Sequence, residues 1–397
     1  MAQSAPIVRV ATLVFVVGLL ANPETARAED DRFSTDVFES GTGGYHTYRI
    51  PALLVTARGT LLAFCEGRKT GRSDHGDIDL LLRRSVDGGR NWGPPALVHE
   101  EGGDEPVTIG NPCPVLDAST GTIWLTFCRD NKDVLVTSSE DDGQTWTPPR
   151  TITEEVKKPE WGWYATGPGV GIQLTKGPHA GRLVIPSDHR ESVDGKQVMF
   201  SHVFFSDDHG QTWSIGGTVD QHTDECQVAE LADGELLINM RNYWGKTGGQ
   251  PEKGAQRAIA RSRDGGATWS PIEFDDALIE PICQASLIAI PRPDRSDQTL
   301  LVFSNPASAT NRRNMTVRVS GDGGRTWPVT LPIDPGSAAY SCLAPLSHGR
   351  VGLLYEAGKS EKIKFTELPI PWPGETQVGD QPRDCTCRED AHVIPPC

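Results

Sequence analysis

The chain has 397 residues, and its 53 Asp and Glu outnumber its 38 Lys and Arg to give a formal net charge of −15 at pH 7. So acidic a chain is excluded from the nucleic-acid binders, whose affinity rests on phosphate contacts made by clustered Lys and Arg. If its ligand is an anion, the attraction has to be local rather than a property of the whole surface.

Residues 1–28 carry Arg9, the apolar run "VATLVFVVGLLA" and a closing "ARA", the layout of a secretory signal peptide cut after Ala28. The run is too short to span a bilayer, and no cysteine follows it to carry a lipid anchor. The expectation is an exported protein, periplasmic or secreted, with no transmembrane segment in the mature chain.

From about Gly44 to Leu368, short β-branched apolar runs such as "TLLAF", "GTIWLTF", "RLVIPS", "GELLINM" and "MTVRVS" alternate with Gly, Pro and Asp. No long amphipathic helix interrupts them, so the segment reads as antiparallel β throughout. One pattern recurs as "SVDGGRNW" from Ser85, "SEDDGQTW" from Ser139, "SDDHGQTW" from Ser206, "SRDGGATW" from Ser262 and "SGDGGRTW" from Ser320. Repeats about 60 residues apart indicate a propeller or solenoid, and each interval holds four strands of about 5–6 residues with their turns. The expected fold is all-β, a six-bladed β-propeller of four-stranded antiparallel blades within residues 29–368, one blade lacking the repeated box. Residues 369–397 form a Pro- and Cys-containing tail without assignment.

In each box the Asp can bond backbone N–H groups, the Gly supplies a positive φ, and the Trp folds back to bury its ring. No copy differs in chemistry, so the boxes read as framework. In the first blade the strands read as Ile50–Ala57, Thr60–Cys65, Asp79–Ser85 and Trp92–Val98, which puts the box between the third and fourth strands. The loops between second and third strands, and the links between blades, then lie on the opposite face. Arg49, Arg68, Asp74, Glu225, Arg241, Arg312, Tyr340 and Glu356 all map there. Singly, each suits a surface ion pair or a packing role. Together they make an anion pocket with acid and base partners.

Six of the nine cysteines (Cys65, Cys113, Cys128, Cys226, Cys283 and Cys342) sit in or beside apolar runs and read as free buried thiols. In an exported tail, Cys385, Cys387 and Cys397 leave room for one disulfide. "CTC" without a second Cys or His cluster is a weak metal signal, and neither a metal nor a cofactor is expected.

"YRIP" from Tyr48, "SDHGDIDLLLRRS" from Ser73, "GNPCPVLD" from Gly110, "ECQVAEL" from Glu225, "FSNPASATNRRNMTVRVS" from Phe303, "YSCL" from Tyr340 and "LLYE" ending at Glu356 occur in this order. With the five boxes, they resemble the exo-α-sialidases (neuraminidases) of bacteria and animals over about Phe33 to Leu368. The resemblance implies that Arg49, Arg241 and Arg312 grip the carboxylate of sialic acid. Arg313 is the rival for the third place, although its offset from "NMT" favours Arg312. By the same resemblance Tyr340 is the nucleophile, Glu225 its general base, Asp74 the general acid/base, Glu356 the carboxylate that fixes Arg49, and Arg68 a further pocket arginine. The implied partners are sialylated glycans (glycoproteins, gangliosides and oligosaccharides), hydrolysed with retention through a tyrosyl-enzyme intermediate.

The chain departs from some animal relatives at Ser187, Asp188 and His189, where those carry tyrosines, so recognition of the sugar's glycerol arm is not carried over. Trp163, Tyr164, Tyr243 and Trp244 suit either the leaving-group side of the pocket or packing at blade edges. A trans-sialidase would use the same catalytic set, with Tyr243 and Trp244 as an acceptor platform. A non-catalytic propeller that binds sialylated glycans would need the arginines alone, and Tyr340, Asp74 and Glu225 argue against it.

Overall fold

The computed structural model describes residues 32–292 and 295–373; the expected signal peptide and the cysteines of the tail lie outside them. Among the described residues, helix is confined to Thr153–Val156 and three short 3-10 turns, and no helix is long and apolar enough to cross a membrane. Everything else regular is strand, in five antiparallel sheets.

Thr47–Val55, Leu61–Arg68, Ile78–Ser85 and Ala96–His99 form the first four-stranded sheet in chain order. Ile109–Leu116 and Thr223–Glu230 open two more of the same kind. The five-stranded sheet has a split inner strand, Tyr164–Thr166 and Ile172–Gln173, both halves pairing with Leu183–Val193. In the seven-stranded sheet, the long strand Val329–Pro345 pairs with Arg313–Ser320 over its first half and with Arg350–Ala357 over its second. The arrangement is propeller-like, as the box spacing implied. Phe33–Glu39, which lay outside the strand reading, pairs with Lys362–Pro369 and joins the first strand of the chain to the last.

Apolar side chains fill the gaps between neighbouring sheets. Leu53 and Leu61 of the first sheet pack with Leu354 and Phe365 of the last, and Phe64 and Leu80 pack with Ile109 and Phe127 of the second. The six cysteines are free and buried, as expected, five of them in strands and Cys283 in the segment before Ser286–Arg292.

The boxes close alike. In the fifth, Gly324 N donates to Ser320 Oγ (2.9 Å), Thr326 N to Asp322 Oδ1 (2.9 Å) and Thr326 Oγ1 to Asp322 Oδ2 (2.6 Å). Gly324 has φ 80°, a conformation with little cost only for glycine. Each box also docks on the blade before it. A Cβ at Gly210 would fall 2.2 Å from the Trp124 ring, and one at Gly89 would fall 2.2 Å from the Phe365 ring. Polar bonds reinforce the contact: Arg84 Nη2 donates to Asp142 Oδ2 at 3.0 Å, and Arg261 Nη2 to Gly323 O at 2.8 Å.

The first blade corrects its sequence boundaries, and its first strand is Thr47–Val55 in place of Ile50–Ala57. Its second strand runs on to Arg68, past the expected end at Cys65, because Glu66 and Arg68 continue the ladder against Ile78–Ser85. Its fourth strand starts at Ala96, after Trp92 and the pair Pro94–Pro95, which lacks the N–H groups a ladder needs.

The inner strands share a deviation that positions the site. Register shifts fall between Arg49 and Ala52, Gly110 and Cys113, Thr223 and Cys226, and Ala338 and Ser341. Ile50 and Asn111 adopt φ 58° at two of them. A bulge bends the strand and re-aims its side chains. Arg49, Glu225 and Tyr340 all sit at such bulges, inside strands that the sequence had starting after them.

Candidate active site

At the bulge of Val329–Pro345, Tyr340 Oη donates to Glu225 Oε1 at 2.5 Å. Arg241, near the end of Leu236–Asn242, donates through Nη1 to Glu225 Oε2 (2.7 Å) and to Tyr340 Oη (3.2 Å). The phenol is buried. Burial and then the Glu225 charge push it well above its ordinary range, against the pull of Arg241, Arg49 and Arg312, so it stands neutral with its proton aimed at a carboxylate.

Two further guanidiniums lie over the same ring, Arg49 at 5.0 Å and Arg312 at 5.5 Å from its centroid. Glu356 is 1% exposed and accepts from Arg49 Nε (3.1 Å) and from the Ile50 backbone N–H (2.9 Å), so it sets both the side chain and the bulge that carries it. Arg312 donates only to Ile282 O (3.3 Å) and has no ion pair among the described residues. Arg313 points away, to Pro335 O. The structure thus brings Arg312 to the tyrosine and leaves its rival at the surface.

Asp74 stands on the loop after Arg68, with its side chain 62% exposed. Arg68 Nη1 lies 2.8 Å and Arg49 Nη1 3.0 Å from its Oδ1. Burial raises its carboxyl, but the charges of Arg68 and Arg49 outweigh burial and hold it below the usual carboxylate range. Arg68 is itself fixed by Glu66, whose Oε2 accepts Nη2 at 2.6 Å and whose Oε1 accepts the Asn111 N–H at 3.0 Å. All eight sequence-derived residues therefore gather at one end of the inner strands.

Some site residues escaped the sequence reading. Glu66 was findable, since it stands two residues before Arg68 on a strand and must share its face. Asn111, Asn131, Asp188, Arg190 and Asp224 line the same cavity of about 200 Å³. Asp188 was marked only as part of the departure at Ser187–His189, and no local signal marked the others, because their convergence depends on the ring. Of the four ambiguous aromatics, Trp163 and Tyr243 line the cavity, Tyr243 Oη accepting from Arg241 Nη2 at 2.7 Å. Tyr164 is buried in the core and Trp244 packs among His222, Phe274 and Lys253. A larger cavity, about 360 Å³, opens elsewhere on the inner strands. Its lining is mostly apolar, with Lys176 and Glu230 its ionisable groups, and Glu230 is occupied by the Thr175 and Lys176 backbone.

A propeller-like fold built on Ser-x-Asp-x-Gly turns, with arginines crowded round a tyrosine–glutamate pair, defines a class of β-propeller protein with a cationic pocket at one end of its inner strands. The BNR repeat-like domain family matches residues 59–353. The sialidase of Micromonospora viridifaciens is 38% identical over 364 residues, which covers 85% of this chain and 54% of that protein. Sialidase-2 of Mus musculus is 31% identical over 370 residues, covering 81% of this chain and 92% of that one. The solved structure of the Hadza microbial sialidase Hz136 superposes with a TM-score of 0.75 at 32% identity, over 85% of this chain and 68% of that one. The chain belongs to the sialidase family.

Proposed function

We propose that the protein is an exo-α-sialidase, a glycoside hydrolase exported from the cell that removes terminal α-linked sialic acid from glycoproteins, gangliosides and oligosaccharides with retention of configuration. One observation carries this: Tyr340 Oη donates to Glu225 Oε1 at 2.5 Å while Arg49 and Arg312 lie over its ring and Arg241 donates to both partners. The anomeric carbon of sialic acid bears a carboxylate, so a carboxylate nucleophile would meet like charge at close range, whereas a phenol would not. In this reading the seven-stranded sheet counts as two blades sharing the strand Val329–Pro345, which makes six in the ring.

The substrate carboxylate binds Arg49, Arg241 and Arg312 by charge-assisted bonds. In doing so it takes Arg49 from Asp74, and the loss of that cation raises the Asp74 carboxyl toward the protonated form an acid needs. Tyr340 Oη then attacks the anomeric carbon, its proton passes to Glu225, and Asp74 protonates the departing glycosidic oxygen. In the second step Asp74 takes a proton from water, the hydroxyl displaces Tyr340 from carbon, and Glu225 returns the phenol proton. Two displacements at one carbon give retention. Trp244 is partly exposed and packs edge-on against His222 and Phe274 rather than lining the cavity, which favours water over a sugar acceptor bound on it.

The test is an assay of the purified chain on a fluorogenic α-sialoside, with proton NMR of the first sugar released. Fluorophore release and an α-anomer first are expected. No release leaves a binding propeller, and a β-anomer first removes the covalent intermediate.

A further inference from the structure

Glu356 fixes Arg49, whereas Arg241 lies on Leu236–Asn242 and Arg312 just before Arg313–Ser320, in neighbouring sheets. If both are to meet one carboxylate, they need a common reference. The segment Glu280–Gln284 links those two sheets, running from Glu273–Ile279 to Ser286–Arg292, and it touches a different part of the site at almost every residue. Glu280 Oε1 accepts the backbone N–H of Asn242, next to Arg241, at 2.7 Å. The Ile282 carbonyl accepts Arg312 Nη2 at 3.3 Å, and Cys283 packs with Tyr340 and Ile50. The Gln284 amide holds both backbone groups of Ser341, next to Tyr340: it accepts the N–H at 2.9 Å and donates to the carbonyl at 3.0 Å.

The backbone does not take this path unaided. Ile282 has φ 55°, a left-handed conformation that a β-branched side chain resists and that persists only where the surroundings over-determine it. Arg257 supplies the constraint. It is 0% exposed; its Nη1 donates to Glu280 Oε2 at 2.5 Å and to the Cys283 carbonyl at 2.7 Å, and its Nε donates to Asn239 Oδ1 at 2.7 Å. One guanidinium therefore ties the residues on either side of Pro281 and Ile282 to the strand that carries Arg241. Neither Arg257 nor Glu280 lines the cavity, so the pair acts on substrate only through its neighbours. A buried ion pair adds little net stability, because the cost of desolvation offsets the attraction. Its effect here is on geometry.

We infer that the buried Arg257–Glu280 pair positions the carboxylate grip: by holding Glu280–Gln284 in one shape, it sets the spacing of Arg241 and Arg312 and seats Tyr340 beside them. Arg257 and Glu280 are positioning residues, and the inference rests on the sialidase reading of that grip.

The experiment uses the double variant Arg257→Met with Glu280→Gln, which removes both charges together, leaves no uncompensated ion in the interior and keeps an acceptor for the Asn242 N–H. It is compared with the wild type by calorimetry, by kinetics on a fluorogenic α-sialoside, and by titration with two sialic acid analogues, one bearing the carboxylate and one with it reduced to an alcohol. Melting within about 5 °C of the wild type is expected, because the pair adds little stability. The kcat/KM should fall by about tenfold to a hundredfold, mainly through KM, as misplaced binding groups cause. The carboxylate analogue should weaken by about tenfold or more and the alcohol by less than about threefold. A double variant that does not fold, or that melts far below the wild type, assigns the pair to stability and overturns the inference. A folded variant with kcat/KM within about twofold of the wild type, or with equal losses on both analogues, overturns it as well. A wild type that neither releases fluorophore nor distinguishes the analogues overturns the sialidase reading and this inference with it.

Discussion

Replacing Tyr340 by Phe would remove one oxygen and leave the ring in its place under Arg49 and Arg312. Loss of the group that bonds to carbon should lower kcat by about a hundredfold or more. Stability should fall by only about 1 kcal/mol, because Glu225 keeps its bond from Arg241. Steady-state kinetics and a thermal melt on the same sample check both halves; near-normal turnover would mean that the tyrosine only packs. The neighbouring arginines allow a second comparison. Arg312→Ala should weaken a carboxylate-bearing sialic acid analogue by about 2–5 kcal/mol, as loss of a partner to a desolvated charge does. Arg313→Ala should leave titration calorimetry nearly unchanged, since Arg313 is exposed and turned toward Pro335. The reverse result would exchange their roles. Most of the main residues were legible because they stand in short strings of residue types, as Arg49 does in "YRIP" and Tyr340 in "YSCL". Asp188 was legible only as a departure from tyrosine-bearing relatives and Arg190 not at all, because a carboxylate and a guanidinium on a strand are ordinary until the ring sets them on one cavity wall.

At the scale of the element, the box combines a turn with a lock on the preceding blade. Gly210→Ala would place a methyl 2.2 Å from Trp124 at a φ of 84° and should cost about 2 kcal/mol or more while leaving KM for a sialoside unchanged, since the box lies away from Tyr340. Urea melts alongside kinetics would test it, and a raised KM at constant stability would move the box into the site. The box carboxylates also predict a response to acid. Bonds from the Asn91 and Thr145 segments hold Asp87 and Asp141 at about 2, and Asp208, Asp264 and Asp322 are lowered too, hydroxyl and backbone donors outweighing burial. A folded value below the unfolded one, near 3.9, means that these charges add stability above that pH and lose it as pH falls toward about 2. Urea midpoints should therefore drop between about pH 4 and pH 2, and Asp322→Asn should flatten that slope. An unaltered slope would show that its charge contributes nothing. The repeated strings carry the turn, but they do not reveal that Gly210 faces Trp124, a contact between blades.

The whole molecule closes through Phe33–Glu39, which pairs with Lys362–Pro369 at the far end of the chain, and through Arg49, which reaches Glu356 on the last sheet. Removing residues 1–40 would leave Lys362–Pro369 as an open edge, the kind of surface that pairs with other copies. Tm should fall by about 5 °C or more, with concentration-dependent aggregation and weaker sialoside turnover as the first and last blades separate. Calorimetry and light scattering against the full chain are the measurements. An equal Tm would assign closure to side-chain packing alone.

The amino-acid sequence by itself determined the all-β character, the turns, the burial of the strand cysteines and the identity of the catalytic candidates. Each of these follows from local chemistry: alternation along a strand, an Asp and a Gly in a tight turn, a short string of residue types. Only the tertiary structure decided which arginine faces Tyr340, where the strands bulge, that the first strand completes the last sheet, and that Asp188 and Asp224 line one cavity. Those outcomes depend on pairings between residues dozens to hundreds of positions apart, and the energies that select them arise only when the ring has closed and water has left its inner wall.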